Sequence, residues 1–304
     1  MNIIVTGGAG FIGSHLCEKL IRDGHRVIII DNLSHGSLDN ISPKSVFYKL
    51  DIRDDQLRKI FQREKPEVVI HNAAQVDVAF AESESQEDAE INIIGSLNLF
   101  KCAAGHCRKV IYASSAAVYG EPLKLPIDEE HPAYPLSFYG LSKLTAEKYL
   151  ARCAEVGGFS FTILRYANVY GPRQTAQGEN GVVATFLDRI SKGEPPVLHG
   201  NGEQTRDFVY VGDIVEANVK ALDRADYQTI NIGSGTACSI NQLFNILTEK
   251  TNSALPTIYR KAREGDIQHS CFAIEKASRH LGWLPRYSLV EGLQILLEMQ
   301  RRGG

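Results

Sequence analysis

The sequence predicts an α/β protein built on a doubly wound parallel sheet, with a smaller α/β lobe interleaved towards its carboxy-terminal end. Three observations predict it. Short β-branched runs alternate with helix-patterned segments through the first half of the chain. The runs are apolar without polar alternation, as strands covered on both faces require. A glycine-rich turn joins the first run directly to the first helical segment. The runs are "NIIVTG", "RVIIID", "SVFYKLD", "EVVIHNAA", "KVIYASS" and "FTILRY", and "TINIGSG" returns later as one more buried strand. Between them, "GSHLCEKLIRDG" sets Ile12, Leu16 and Leu20 four residues apart, a helix with one apolar stripe. Strand and helix in regular alternation give a Rossmann-type sheet with helices on both faces.

After about residue 170 the alternation loosens into the polar, Gly/Pro-rich loops "YGPRQTAQGENG" and "SKGEPPVLHGNGEQ". "RDFVYVGDIVEANVKALDRA" then reads as a strand leading into a helix, and "INQLFNILTEK" and "SLVEGLQILLEMQRR" as amphipathic helices. We therefore expect a sheet domain over residues 1–170, joined again by 210–236. A second lobe is expected over 171–209 and 237–304.

Composition narrows the function classes. A chain of 304 residues can bury a large core, and 43% apolar with 23% charged residues is ordinary for a globular protein. A formal net charge of −3 gives no electrostatic case for nucleic acid or an anionic membrane, so a small-molecule partner is expected. No apolar run approaches the roughly 20 residues of a membrane span, and the amino terminus turns into the glycine loop too early for a signal peptide. The six cysteines are scattered, as expected of reduced thiols in the cytoplasm. "CAAGHC" (102–107) is the tightest cluster, but it has no second pair of ligands, so no metal is expected. The acidic run "AESESQED" reads as a solvated helix face.

"VTGGAGFIGSHL" sets Gly7, Gly10 and Gly13 between the first strand and the first helix. Glycines there let the backbone approach a pyrophosphate, and the helix N-terminus supplies amides and partial positive charge. The spacing is G-x-x-G-x-x-G rather than G-x-G-x-x-G, and by itself it also describes a tight turn. Eighteen residues after Gly13 the second strand ends on Asp31, whose carboxylate can accept hydrogen bonds from a ribose or simply close a turn. As a ribose ligand it repels a 2′-phosphate, which favours NAD over NADP. Asp51 in "KLDIRD" closes the third strand as a candidate adenine contact.

Tyr139 and Lys143 are four residues apart in a helical stretch and share one face. A free phenol, with a pKa of about 10, is a poor base at neutral pH, but a neighbouring ammonium favours its phenolate. Tyr139 could then take a proton from a substrate hydroxyl as hydride leaves the same carbon, with Ser115 at the adjoining strand end bonded to that oxygen. A Y-x-x-x-K pair alone more often marks an exposed helix; with the glycine loop and the strand-end serine it indicates oxidation of an alcohol.

At these residues the chain resembles the extended short-chain dehydrogenases/reductases, and within them the UDP-glucose/UDP-N-acetylglucosamine 4-epimerase family. The resemblance runs over nearly the whole chain through "TGGAGFIG", "DNLS", "DIRD", "HNAAQV", "NIIGSLNL", "SSAAVYG", "YGLSK", "LRYANVYGPRQ", "RDFVYVGDIVEA", "REGDIQHS" and "LGWLPRYSLVEGL". It implies tightly held NAD that is regenerated at each turnover, with Ser115, Tyr139 and Lys143 as the catalytic set. It also implies cofactor contacts from Phe11, Ile12, Asp31, Asn32, Ser34, Asp51, Ile52, Ala73, Ala74, Gln75 and Asn92. Related 4,6-dehydratases carry an Asp-Glu pair after the serine or threonine, whereas this chain has Ala116 and Ala117, which cannot move a proton. What remains is reversible oxidation at C4 of a UDP-hexose.

For the sugar nucleotide, the resemblance implies diphosphate contacts from Arg206 and Arg263; the other reading of either arginine, taken alone, is a surface ion pair. It implies an amide contact from Asn168, a contact from Val182, and Val197, Leu198 and His199 beside the uracil; His199 also reads as a packed loop histidine. Ser270 matches the position bordering the C2 substituent, where a small residue leaves room for an acetamido group. Phe272-Ala273 departs from the family, many members of which have Ala-Asp there. The resemblance further implies a homodimer through 92–105 and 138–155, although the sheet alone could cover those apolar stripes. The other readings are a UDP-uronic acid epimerase or another sugar-nucleotide modifier, and a catalytically silent NAD-binding regulator, a role that commonly goes with loss of the Tyr-Lys pair.

Overall fold

The computed structural model describes residues 1–176, 181–262 and 267–303. Its strands are β1 (Asn2–Thr6), β2 (Arg26–Asp31), β3 (Val46–Lys49), β4 (Val68–His71), β5 (Lys109–Ser115), β6 (Ser160–Tyr166), β7 (Asn168–Tyr170), β8 (Val197–His199), β9 (Thr205–Tyr210), β10 (Gln228–Ile232), β11 (Ala237–Ser239) and β12 (Ile258–Arg260). Seven of them form one parallel sheet in the order β10-β6-β5-β4-β1-β2-β3. These are the seven apolar runs. The third stops at Lys49, so Asp51 lies in the turn beyond the strand rather than closing it.

The run composition explains the two-sided burial. Successive side chains on a strand point to opposite faces. Ile3, Val5, Val27 and Ile29 pack on one face with Leu16 and Leu20 of helix Phe11–Arg22 and with helix Val211–Ala221. Ile4, Ile28, Ile30 and Val69 pack on the other with Leu57, Phe61, Leu99, Phe100 and Leu150. Strand order reverses between β1 and β4, so their carboxyl ends open a crevice at the switch point. The glycine loop follows β1 and residues 73–75 follow β4; both line that crevice.

The remaining strands make a three-stranded sheet, β11-β9-β7, and a two-stranded sheet, β12-β8. A separate apolar cluster joins Val183, Phe186, Leu198, Phe208, Leu243, Leu247 and Leu293, drawn largely from helices Val182–Ser191, Ile240–Thr251 and Leu289–Gly303. Helix Ile240–Thr251 begins on a reciprocal cap between Ser239 and Gln242. Phe272 is buried with Val118, Tyr119 and Ile127. Ile127 N–H donates to the Cys271 carbonyl and Ala273 N–H to the Ile127 carbonyl, both at 2.8 Å, so this segment is fastened beside the turn that follows β5. Among the described residues no helix is long and apolar enough to cross a membrane.

Candidate active site

The glycine loop is held by contacts that exclude side chains. Gly7 has φ +68°, and a Cβ there would lie 2.8 Å from the Ala73 nitrogen. A Cβ at Gly13 would lie 2.1 Å from the Gly7 carbonyl oxygen, and Gly10 N–H donates to that oxygen at 3.1 Å. The helix then opens at Phe11 on Gly10, with no side-chain cap and no acid in its first turn. Helix Phe138–Gly157, by contrast, is capped by Ser137 and helix Ile240–Thr251 by Ser239. The uncapped first-turn amides, including those of Phe11 and Ile12, suit an anion, and the helix dipole favours one. A dinucleotide pyrophosphate fits this cradle.

Asp31 is buried at the end of β2. Its Oδ2 accepts from Ala9 N–H at 2.9 Å and its Oδ1 from Leu33 N–H at 2.8 Å. The carboxylate therefore does close the turn, and each oxygen keeps a further acceptor direction for a ribose hydroxyl. Asn32 is tied to Asp51 at 2.9 Å, and exposed Ser34 donates its N–H to Asn32 Oδ1 at 2.9 Å. Burial raises the Asp51 pKa, but hydrogen bonds from Arg53 and Asn32 outweigh it and hold the carboxyl below its ordinary value. Arg53 also bonds Glu87 at 2.8 Å and so ties the Asp51 turn to helix Ser85–Ala89, a link that no local motif signals. Ile52 is buried beside Gly95.

Residues Ala73, Ala74 and Gln75 are fastened from beneath. Ala73 N–H donates to Thr6 Oγ1 at 3.2 Å, and Gln75 exchanges both backbone groups with the Asn92 amide at 3.0 and 2.9 Å. Asn92 is buried and its other N–H goes to Asp88 at 2.8 Å, so its amide supports the loop from below. His71 bridges Thr6 Oγ1 at 2.7 Å and Ser96 Oγ at 2.9 Å. Burial, and to a lesser degree the charge of Lys143, push its pKa down to about 3, so it is neutral.

Ser115 ends β5. Its Oγ accepts from Ala117 N–H at 3.2 Å, capping the short turn Ala116–Val118 and leaving the hydroxyl proton to donate elsewhere. Tyr139 and Lys143 stand on helix Phe138–Gly157, whose first turn is anchored by Ser137 on Gly140 N–H and by Glu82 on Phe138 N–H. A Cβ at Gly140 would lie 2.5 Å from the Ala117 carbonyl oxygen, so the tyrosine's helix rests directly on the turn after the serine. Lys143 is 3% exposed, with its ammonium 4.5 Å from the centroid of the Tyr112 ring. Burial pulls its pKa down to about 8, opposed by the negative charges of Glu147 and Asp88.

Two buried serines neighbouring the catalytic candidates are each bonded to a buried carboxylate. Ser114 donates to Glu147 at 2.5 Å and Ser142 to Asp88 at 2.6 Å. Glu147 is further held by Arg165 at 2.9 and 2.6 Å, and the guanidinium lies 4.8 Å from the centroid of the Tyr119 ring. Only the four-residue spacing of Lys143 and Glu147 hints at this arrangement in the sequence.

The substrate candidates lie on the lobe side. Asn168 is exposed at the start of β7, opposite Phe208 of β9. Arg206 is half-buried on β9 opposite Cys238, with Nη1 donating to the Thr205 carbonyl at 2.9 Å. Half-buried Val182 opens its helix. On β8, Val197 and His199 are half-buried while Leu198 points into the lobe core, so a ligand beside this strand meets Leu198 through its backbone. The His199 ring is bonded to the Lys261 carbonyl at 3.3 Å. Ser270 is buried beside β9, its N–H donating to the Thr205 carbonyl at 3.1 Å. Arg263 lies outside the described residues.

Comparison with known proteins identifies the family. The UDP-glucose 4-epimerase of Mycolicibacterium smegmatis is 37% identical over 99% of both chains. A crystal structure of UDP-glucose 4-epimerase from Thermotoga maritima with UDP-glucose superposes with a TM-score of 0.97 at 44% identity, covering 100% of this chain and 99% of that one. UDP-N-acetylglucosamine 4-epimerase from Methanobrevibacter ruminantium, in complex with UDP-N-acetylmuramic acid, superposes with a TM-score of 0.93 at 36% identity over 100% and 99% of the two chains. The model of the NAD dependent epimerase/dehydratase family matches residues 3–233, a span that takes in the glycine loop, Ser115, Tyr139 and Lys143; this chain is a member of that family.

Proposed function

We propose that the protein is an NAD-dependent 4-epimerase of UDP-hexoses, interconverting them through a transient 4-keto sugar. One observation carries the choice of reaction: a strand-end Ser115 whose turn packs on the helix bearing Tyr139 and Lys143, followed by Ala116 and Ala117 where elimination would need an acid and a base. NAD, when bound, accepts the C4 hydrogen with its electron pair and gives it back. The Tyr139 oxygen takes the proton of the C4 hydroxyl as the C4–H bond breaks, and returns it when that bond re-forms on the opposite face. Ser115 donates its hydroxyl proton to the C4 oxygen and fixes its position; the Lys143 ammonium favours the phenolate of Tyr139. The glycine loop and the amides of Phe11 and Ile12 hold the pyrophosphate. Asp31, Asn32, Ser34, Asp51 and Ile52 hold the adenosine, and Ala73, Ala74 and Gln75, propped by Asn92, flank the remainder.

In this reading residues 1–170 with 210–236 bind the cofactor, and 171–209 with 237–304 bind the sugar nucleotide. Arg206 and Arg263 neutralise the diphosphate; Asn168 and Val182 contact the substrate, and Val197, His199 and the Leu198 backbone flank the uracil. Small Ser270 leaves room for an N-acetyl group, so both plain and N-acetylated hexoses are substrates. The protein works in the cytoplasm as a homodimer. Support for the pairing face comes from Ile94 and Leu141, each 49% exposed, and Tyr149, 43% exposed, on the two helices concerned. The test is a panel of UDP-hexoses with purified protein and no added cofactor. Interconversion of UDP-glucose with UDP-galactose and of UDP-GlcNAc with UDP-GalNAc is expected. Loss of water from the sugar, or no reaction with any of the four, would overturn the reading.

A further inference from the structure

Asp88 is fully buried on the short helix Ser85–Ala89, which runs on into a π-helical turn over Glu90–Gly95. A carboxylate taken out of water is costly unless hydrogen bonds and an opposite charge compensate it. Its hydrogen-bond donors are all neutral: Gln75 Nε2 at 2.9 Å and Asn92 Nδ2 at 2.8 Å on Oδ1, and Ser142 Oγ at 2.6 Å on Oδ2. Among the described residues it makes no direct ion pair. The neighbouring buried carboxylate, Glu147, differs, because the Arg165 guanidinium grips both of its oxygens.

Lys143 shows the complementary imbalance. Its buried ammonium faces the Tyr112 ring and, among the described residues, makes no direct ion pair. The titratable groups around it are Glu147 on its own helix, Asp88, His71 on β4, Tyr112 on β5 and Tyr139 one turn before it. His71 is neutral, burial keeps Tyr112 protonated, and Glu147 is balanced by Arg165. Of the two carboxylates whose charge reaches the lysine, Glu147 acts more strongly but has Arg165 as its own cation, which leaves Asp88 as the one without a cation of its own. Ser142 precedes Lys143 in the chain, so the Asp88–Ser142 bond also fixes the helix. Oδ1 meanwhile holds Gln75, whose backbone is clasped by Asn92.

We propose that Asp88 is a positioning residue and the buried counter-charge of Lys143, its two oxygens registering the Tyr139–Lys143 helix against the Ala73–Gln75 loop. The role of Lys143 in chemistry rests on the epimerase reading; the charge balance does not. Asp88→Asn keeps the shape and removes the charge. Lysine-labelled protein, as purified, gives the ionisation of Lys143 directly by NMR, with the signal assigned by its loss in Lys143→Met. In Asp88→Asn the midpoint should fall by about one pH unit, and the alkaline limb of turnover should move with it. In Ser142→Ala, which keeps the charge, turnover should fall while the midpoint stays near the wild-type value. An unshifted midpoint in Asp88→Asn overturns the proposal. Should Asp88→Asn not fold, the double variant Asp88→Asn/Lys143→Met decides. It should fold and melt above either single variant, and a double variant no more stable than the singles overturns the charge pairing. A wild-type protein without epimerase activity defeats the functional reading alone, because the titration still measures the pair. An active epimerase with an unshifted Lys143 defeats this inference alone.

Discussion

Replacing Gly140 with alanine tests how the tyrosine helix is docked. The new Cβ would lie 2.5 Å from the Ala117 carbonyl oxygen and 3.0 Å from both the Ala117 carbonyl carbon and the Pro135 Cβ. A relaxed carbon–oxygen contact is about 3.3 Å, so helix and turn must separate by roughly 0.8 Å. Overpacking of this kind costs about 1–3 kcal/mol. Alanine regains about 1 kcal/mol of helix propensity, so the net destabilisation should be at most about 2 kcal/mol. Function should suffer more than stability, because the turn carries Ser115 and the helix carries Tyr139. A misplacement approaching 1 Å between groups that act on one oxygen costs on the order of 100-fold in rate. The assay is kcat on UDP-galactose, with melting temperature and bound NAD measured on the same sample. The expected variant is folded, loaded and slow. A variant that turns over like the wild type would refute the docking argument.

Tyr139→Phe removes only the proton-carrying oxygen and should lower kcat by about 100- to 10,000-fold with an unchanged melting temperature; near-normal turnover would move the base elsewhere. Ser270→Tyr should selectively abolish activity on the N-acetylated pair, and equal loss on both sugar pairs would show that residue 270 does not gate the C2 substituent. Stability should also depend on pH through His71. The unfolded chain binds a proton on this residue below pH 6.5, whereas the folded chain resists until about pH 3. The stability present above pH 6.5 is therefore lost on acidification at roughly 1.4 kcal/mol per pH unit. His71→Gln should flatten that part of the acid slope in denaturant titrations, and an identical slope would assign it to other groups.

The sheet was legible because its strands are buried on both faces, and such burial leaves continuous apolar runs. Ser115, Tyr139 and Lys143 were legible because a strand end and a helical spacing of four fix where they stand. The strands β7, β8 and β12 are three residues each, too short to leave a period in the sequence. Leu198 could not be told from its neighbours for that reason; only the lobe's packing turns it inward. Asp88, Arg165 and Phe272 were unreadable for a different reason. Each meets a partner far along the chain, Asp88 with Ser142, Arg165 with Glu147 and Phe272 with Tyr119 and Ile127, and a buried polar or aromatic contact across such a separation leaves no local pattern.

The central claim is that hydrogen leaves C4 of the sugar and returns to C4 without entering solvent. UDP-galactose deuterated at C4 tests it most directly, incubated in ordinary water with purified protein and no added NAD. The account predicts UDP-glucose that keeps its deuterium at C4, and a mirror experiment in heavy water that introduces none into the ring. Deuterium washed out of C4, or solvent deuterium appearing at a ring carbon, would contradict it.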